Sequence, residues 1–257
     1  MFVYPLFNNY NSMQNTTEFI DYLNQHSKIL ILGKGQFSHS INFEKYDLCI
    51  GIKQSIGMLP RKDVVFMNDL EGLFGIEPFI KDIKYIVFPN SPHIASLPDK
   101  TNHKTFTDYL KIHNFRGKIV NFEIHSNPRA NRDPNLLFVP NITNSGEISL
   151  FFLNQCQNRK NMNIFILGMY TSLNDNPKIS NNISSCKPHH NYLPIYNSYI
   201  YRIYSNKVRQ NTKMINVAAD FNKKYGFCKN VQSENSFVAV RSAINTKYSD
   251  LNIKFFK

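Results

Sequence analysis

Two adjacent histidines, His189 and His190, sit in the polar stretch Cys186-Lys187-Pro188-His189-His190-Asn191-Tyr192. An imidazole with a pKa near ~6.5 can take a proton from a hydroxyl at neutral pH, so either ring suits a general base. A pair of solvated loop histidines is the plainer reading of the same residues. Tyrosines crowd the neighbourhood: Tyr170 precedes the stretch, and Tyr192, Tyr196, Tyr199 and Tyr201 follow. A phenol hydroxyl can hydrogen-bond a departing phosphate, and tyrosines at this density also serve as packing residues with one wet end. A second group of residues suits anions. Gly33-Lys34-Gly35 closes an apolar run. Glycines let the backbone come close to a ligand, and a helix after them would offer N–H groups and partial positive charge to a phosphate. The pattern is not a dinucleotide fingerprint, because Ser38 stands where the last glycine of G-x-G-x-x-G belongs. Ser145-Gly146 opens another helical pattern, readable as an anion site or as an ordinary N-cap. Asn68-Asp69 follows an apolar run and suits a ribose or an acceptor, or a turn.

These side chains need elements to hold them. Branched apolar runs predict buried strands over 29–32, 46–52, 63–69, 84–89, 117–122, 136–139 and 163–168. Helical spacing is found at 16–23, 147–157 and 214–224, with a short terminal strand at 226–231. Residues 38–46 read as a turn with a short helix or loop. Strands alternating with helices or loops predict an α/β fold: a mostly parallel Rossmann-like sheet with helices on both faces and a lid. Ligands on such sheets bind beyond the carboxyl ends of the strands. That rule gathers Gly33, Lys34, Gly35, Lys53, Gln54, Asn68, Asn144, Ser145, Gly146 and Gly168, with Met169 and Tyr170. The predicted organisation is a nucleotide-binding core over 1–170 and a polar lid or acceptor region over 171–210. A C-terminal helix and strand within 211–257 complete the core.

The chain has 257 residues, a net charge of +12 and a pI near 9.5. Such a balance favours polyanions: nucleic acid, an acidic membrane face or a phosphate-bearing substrate. Abundant Lys, Asn, Ile, Phe and Tyr without Trp is also what AT-rich coding produces. The basic residues are spread out, densest at 202–213, and no RNA-binding or helix-turn-helix signature is present. No apolar run reaches the ~20 residues of a membrane span, and the N-terminus lacks the features of a signal peptide. The expectation is a cytoplasmic protein, with peripheral membrane association as an extension. The four cysteines contain no C-x-x-C pair, and Cys49 and Cys156 fall in apolar segments as buried thiols. Asp63, Asp69 and Glu71 lack the spacing of a D-x-D metal site, so no metal is expected. His125, Arg129 and Arg132 lie in a basic loop suited to an anionic acceptor or simply to solvent. The sequence is compatible with a homo-oligomer.

Three segments in this order, ILGKGQFSHSINFEKYDLCIGIKQSI, NITNSGEISLFFLN and NIFILGMY, carry a resemblance. The set resembles the bacterial sialyltransferases that decorate lipooligosaccharide, and their looser relatives with a sialyltransferase-like Rossmann domain. It spans most of residues 28–237. The resemblance implies an inverting, metal-independent glycosyltransferase with a nucleotide-sugar donor, CMP-sialic-acid-like or other. The nucleotide sugar is a co-substrate, and no further cofactor is implied. The acceptor is a glycan or another hydroxyl compound. Donor binding falls to Gly33, Lys34, Gly35, Lys53, Gln54, Asn68, Asn144, Ser145, Gly146 and Gly168. His190, with His189 second, takes the place of the general base, and Tyr192 and Tyr170 that of leaving-group donors. The chain departs from the family at Lys34 and Lys53, each in place of Asn, and at Gln36-Phe37, in place of Pro-Ser. Asn144 is an extra residue, and Met169-Tyr170 replaces an acidic strand end. Two lysines at the mouth suit a more highly charged donor. The alternatives are a DNA-modifying glycosyltransferase using the tyrosine-rich basic run at 192–209, and an inactive nucleotide- or nucleic-acid-binding protein of the same fold.

Overall fold

The computed structural model describes residues 10–35, 37, 40–68, 76–89, 110–111, 113–124, 136–139, 145–169 and 234–256. They form an eight-stranded sheet in which every pair is parallel. The strands are β1 (Lys28–Leu32), β2 (Leu48–Ile52), β3 (Val64–Phe66), β4 (Tyr85–Pro89), β5 (Lys118–Ile124), β6 (Leu137–Val139), β7 (Asn163–Leu167) and β8 (Asn252–Phe256). Among the described residues the α-helices include α1 (Tyr10–Asn24), α2 (Ser145–Asn154) and α3 (Glu234–Lys247). Strand order is β6-β5-β4-β3-β2-β1-β7-β8. The predicted α/β, Rossmann-like architecture is the observed one. Among the described residues no helix is long and apolar enough to cross a membrane.

Alternation within each strand splits the apolar residues between two cores. Ile29, Ile31, Ile50, Val64, Phe66, Val87, Val120 and Ile166 face α1, α2 and α3. Leu30, Leu32, Cys49, Val65, Ile86 and Phe88 face the opposite side, with Ile56, Ile76 and Ile80. Among the described residues that second cover includes 3-10 turns at Phe43–Lys45, Lys53–Met58 and Glu77–Asp82. The division follows from right-handed crossovers. Successive strands β1 to β6 step in one direction, so their connections share one face. The steps from β6 to β7 and from β7 to β8 go the other way, which puts α2 and α3 on the other face. Phe152 of α2 is the hub of the helical core, with ring centroids of Phe19, Phe66 and Phe122 at 5.7, 5.6 and 5.8 Å.

Short polar contacts pin the amino ends of the strands. The Asp47 carboxylate accepts the backbone N–H groups of Ser27 and Lys28, both at 2.9 Å, which locks the start of β1 to β2. The Asp63 carboxylate accepts the N–H of Cys49 at 3.0 Å and pairs with Arg61 at 3.1 Å. β2 and β3 are shorter than their apolar runs predict, β2 at its amino end and β3 mainly at its carboxyl end. Near the C-terminus α3 packs on the helical core and β8 pairs with β7, at positions for which the sequence reading gave no helix or strand. The sequence readings at 214–224 and 226–231, and the lid at 171–210, lie outside the described residues.

Candidate functional site

The direction of travel across the sheet reverses between β1 and β7, and the carboxyl ends of these strands meet at the glycines. The Gly33 N–H donates to Leu167 O at 2.7 Å, and the Gly35 N–H to Gly168 O at 2.8 Å. The ladder therefore runs on past both strands. A Cβ on Gly33 would lie 2.2 Å from Met169 Cγ and 2.3 Å from Gly168 O. Gly168 has φ +66°, and a Cβ on it would lie 2.7 Å from Gly35 O. The glycines are needed because two backbones approach each other, which is a different reason from the expected approach of a ligand. The expected phosphate cradle at this turn would draw on a helix after Gly35. No α-helix follows Gly35 in the described residues, where the path to β2 includes only the 3-10 turn Phe43–Lys45. The Gly33 and Gly35 N–H groups are themselves taken up by the ladder to Leu167 and Gly168. Gly33 and Gly35 are buried, and Lys34 is half-exposed between them.

The end of β2 is sharply turned. Lys53 has φ 54°, a left-handed conformation uncommon for a side-chain-bearing residue. The turn folds Gln54, Ser55 and Ile56 inward, and all three are buried. Ser55 Oγ accepts the Ile52 N–H at 2.7 Å and donates to Leu32 O at 2.5 Å, joining the end of β2 to that of β1. A Cβ on Gly51 would lie 2.7 Å from Ile56 Cα, so the turn can close on β2 only over a glycine. This 3-10 turn packs on β3, and α2 packs on the same strand. The two come from opposite faces, and Asn68 stands two residues past the end of β3. The Gln54 turn, Asn68 and the helix opened by Ser145 are thus brought to one strand by the fold.

Ser145 and Gly146 are buried in the first turn of α2. Ser145 is 3% exposed, and its Oγ has no hydrogen-bond partner among the described residues. Glu147, in the same turn, is fully buried; Lys247 Nζ forms an ion pair with its Oε1, and the Tyr248 hydroxyl donates to that oxygen at 3.4 Å. His189, His190, Tyr192, Tyr170 and Asn144 lie outside the described residues. Sequence reasoning passed over Asn121 and Glu123, which are 8% and 7% exposed on one face of β5. Their signal was the alternation in K-I-V-N-F-E-I, where two polar residues share a face inside a strand covered on both sides.

The largest shifts in acidity among the described thiols and phenols belong to packing. Burial pushes the Cys156 thiol up to about 12 and raises the Tyr22 phenol well above its ordinary value. Burial also raises Cys49, against the opposing pull of Arg61 3.8 Å away. A hollow of about 890 Å³ opens beneath the β1–β2 connection, lined by Leu30, Asn42, Tyr46, Leu167 and Phe256 among others. It reaches β1 and β7 from the 3-10 face, with Tyr46 and Phe165 edge-to-face at 5.3 Å. Comparison with models of protein families, with curated proteins and with solved structures finds no match to the chain.

Proposed function

We propose that the chain is an inverting glycosyltransferase that takes its sugar from a nucleotide-sugar donor. The observation that carries this reading is the convergence on β3 of the buried Gln54 turn and the start of α2, with Asn68 at the strand end. All belong to connections at the carboxyl edge of a parallel sheet, beside the reversal between β1 and β7, where such folds hold nucleotides. The donor phosphate is assigned to the first turn of α2. Its N–H groups and the Ser145 hydroxyl offer bonds, whereas the Gly33 and Gly35 N–H groups are taken up by the sheet ladder. Gln54 and Asn68 recognise the nucleoside, and Lys34 and Lys53 add charge at the mouth.

In the reaction, the acceptor hydroxyl attacks the anomeric carbon from the side opposite the nucleotide, and the glycosidic bond to phosphate breaks. His190 takes the hydroxyl proton, with His189 as the second choice. Tyr192 or Tyr170 hydrogen-bonds the departing phosphate, whose negative charge the α2 N-terminus stabilises. The acceptor is a glycan or another hydroxyl compound. The net charge of +12 keeps a nucleic-acid acceptor as a second reading, with salt-sensitive DNA binding as its mark.

The test is a thermal-shift screen of CMP, UDP and GDP compounds. A ligand at a hundred times its Kd adds about 2.7 kcal/mol, which raises Tm by roughly 5–10 °C in a chain of this size. A flat response to all three classes refutes the reading. His190→Ala is expected to keep the shift and lose turnover, and full turnover in that variant removes His190 from its role.

A further inference from the structure

The first turn of α2 holds a buried carboxylate where, on the reading above, an anion binds. Glu147 is the third residue of the helix and is fully buried. A carboxylate there suits the helix itself, because it meets the positive end of the macrodipole. It also draws on the potential that a bound phosphate needs, and two negative groups one helical turn apart oppose each other strongly in a dry site. The counter-charge comes from the far end of the chain. Lys247, the last residue of α3, places its Nζ on Glu147 Oε1, and the hydroxyl of the adjacent Tyr248 reaches the same oxygen at 3.4 Å. Two residues before Glu147, Ser145 Oγ is 97% buried and has no partner among the described residues. The turn thus has one negative group already neutralised and one buried hydroxyl still unsatisfied.

We propose that Lys247 is a positioning residue for anion binding: by neutralising Glu147 it leaves the first turn of α2 free to accept the phosphate of a nucleotide. The inference rests on the assignment of the donor phosphate to that turn. It ties α3, which contributes no group to the ligand itself, to the affinity of the site. The effect acts through charge, so it is confined to ligands that carry a phosphate. A purely structural ion pair would change all ligands alike.

The test titrates the full-length chain calorimetrically with CMP and cytidine, and with UDP and uridine, at one fixed ionic strength. The proteins are wild type, Lys247→Met, Glu147→Gln and the double variant. Lys247→Met is expected to weaken the nucleotide about ten- to a hundredfold, the scale of an uncompensated neighbouring charge, while the matching nucleoside changes less than about twofold. Glu147→Gln is expected to bind the nucleotide at least as tightly as wild type, and the double variant to recover what Lys247→Met loses. Where Lys247→Met fails to fold, judged by circular dichroism, the single Glu147→Gln and the double variant decide. Equal losses for nucleotide and nucleoside, no loss in Lys247→Met, or weaker nucleotide binding in Glu147→Gln overturns the inference and leaves the donor reading intact. A wild-type chain that binds none of CMP, UDP and GDP compounds in the thermal-shift screen overturns both.

Discussion

Replacing Gly33 with alanine tests why glycine stands at the end of β1. The new methyl would lie 2.2 Å from Met169 Cγ and 2.3 Å from Gly168 O. Both distances are more than an ångström short of ordinary contact, so something must move. Met169 can swing aside, but Gly168 O belongs to the backbone that accepts the Gly35 N–H at 2.8 Å. Overpacking of this kind costs about 1–3 kcal/mol. Loosening the bonds from Gly33 to Leu167 and from Gly35 to Gly168 adds about 1 kcal/mol each. The expected loss is therefore about 3–5 kcal/mol, which lowers Tm by roughly 10 °C in a chain of this size. Urea unfolding followed by circular dichroism, with a thermal scan alongside, measures it. Adding Met169→Ala should recover only part of the loss, because the clash with the Gly168 oxygen stays. A Gly33→Ala variant within about 0.5 kcal/mol of wild type that has lost nucleotide affinity refutes the reasoning. It would mean that the glycine makes room for a ligand and not for a neighbouring strand.

Ser55→Ala removes the hydroxyl that links Ile52 N–H to Leu32 O and leaves buried groups without a partner. Its expected cost is about 1–3 kcal/mol, read from the denaturation midpoint at constant m. Lys53→Gly relieves the left-handed φ of 54°, so it should cost no stability, where glycine in a regular element costs about 0.5–1 kcal/mol; a clear loss in urea would show that the Lys53 side chain itself holds the turn. Cys156 ionises in the fold only near 12 instead of near 9, so the folded chain retains a proton that the unfolded chain releases. Its contribution to stability is whole below about pH 9 and falls as pH rises from there towards 12. Iodoacetamide at pH 8 should spare Cys49 and Cys156 in the native chain and modify both in urea, as read by peptide mass spectrometry; rapid native modification of Cys156 would contradict its burial.

The strongly apolar runs were legible because a strand buried on both faces must be apolar at nearly every position. Ile29 to Leu32 and Leu48 to Ile52 are such cases, and the parallel α/β architecture followed from their repetition. β8 was not legible, because an edge strand with alternating exposure, N-I-K-F-F, mixes polar and apolar residues as a loop does. Gln54 and Asn68, just past strand ends, and Ser145, which opens the helix after β6, were readable as a set, since each follows a strand on the carboxyl side of the sheet. Asn121 and Glu123 were hidden inside a segment read only for its hydrophobicity.

What residue type and spacing determined was the class of fold and the edge of the sheet where polar side chains gather, because both depend on short-range periodicity. Tertiary structure decided the partners. In sequence the two glycines do not reveal a backbone crossing, and only the tertiary structure places Gly168 O 2.3 Å from where a Cβ on Gly33 would lie. Likewise Glu147 and Lys247 are a hundred residues apart, and no local pattern links them. Their pairing exists because right-handed crossovers put α2 and α3 on one face of the sheet, where a carboxylate out of reach of water must find a cation.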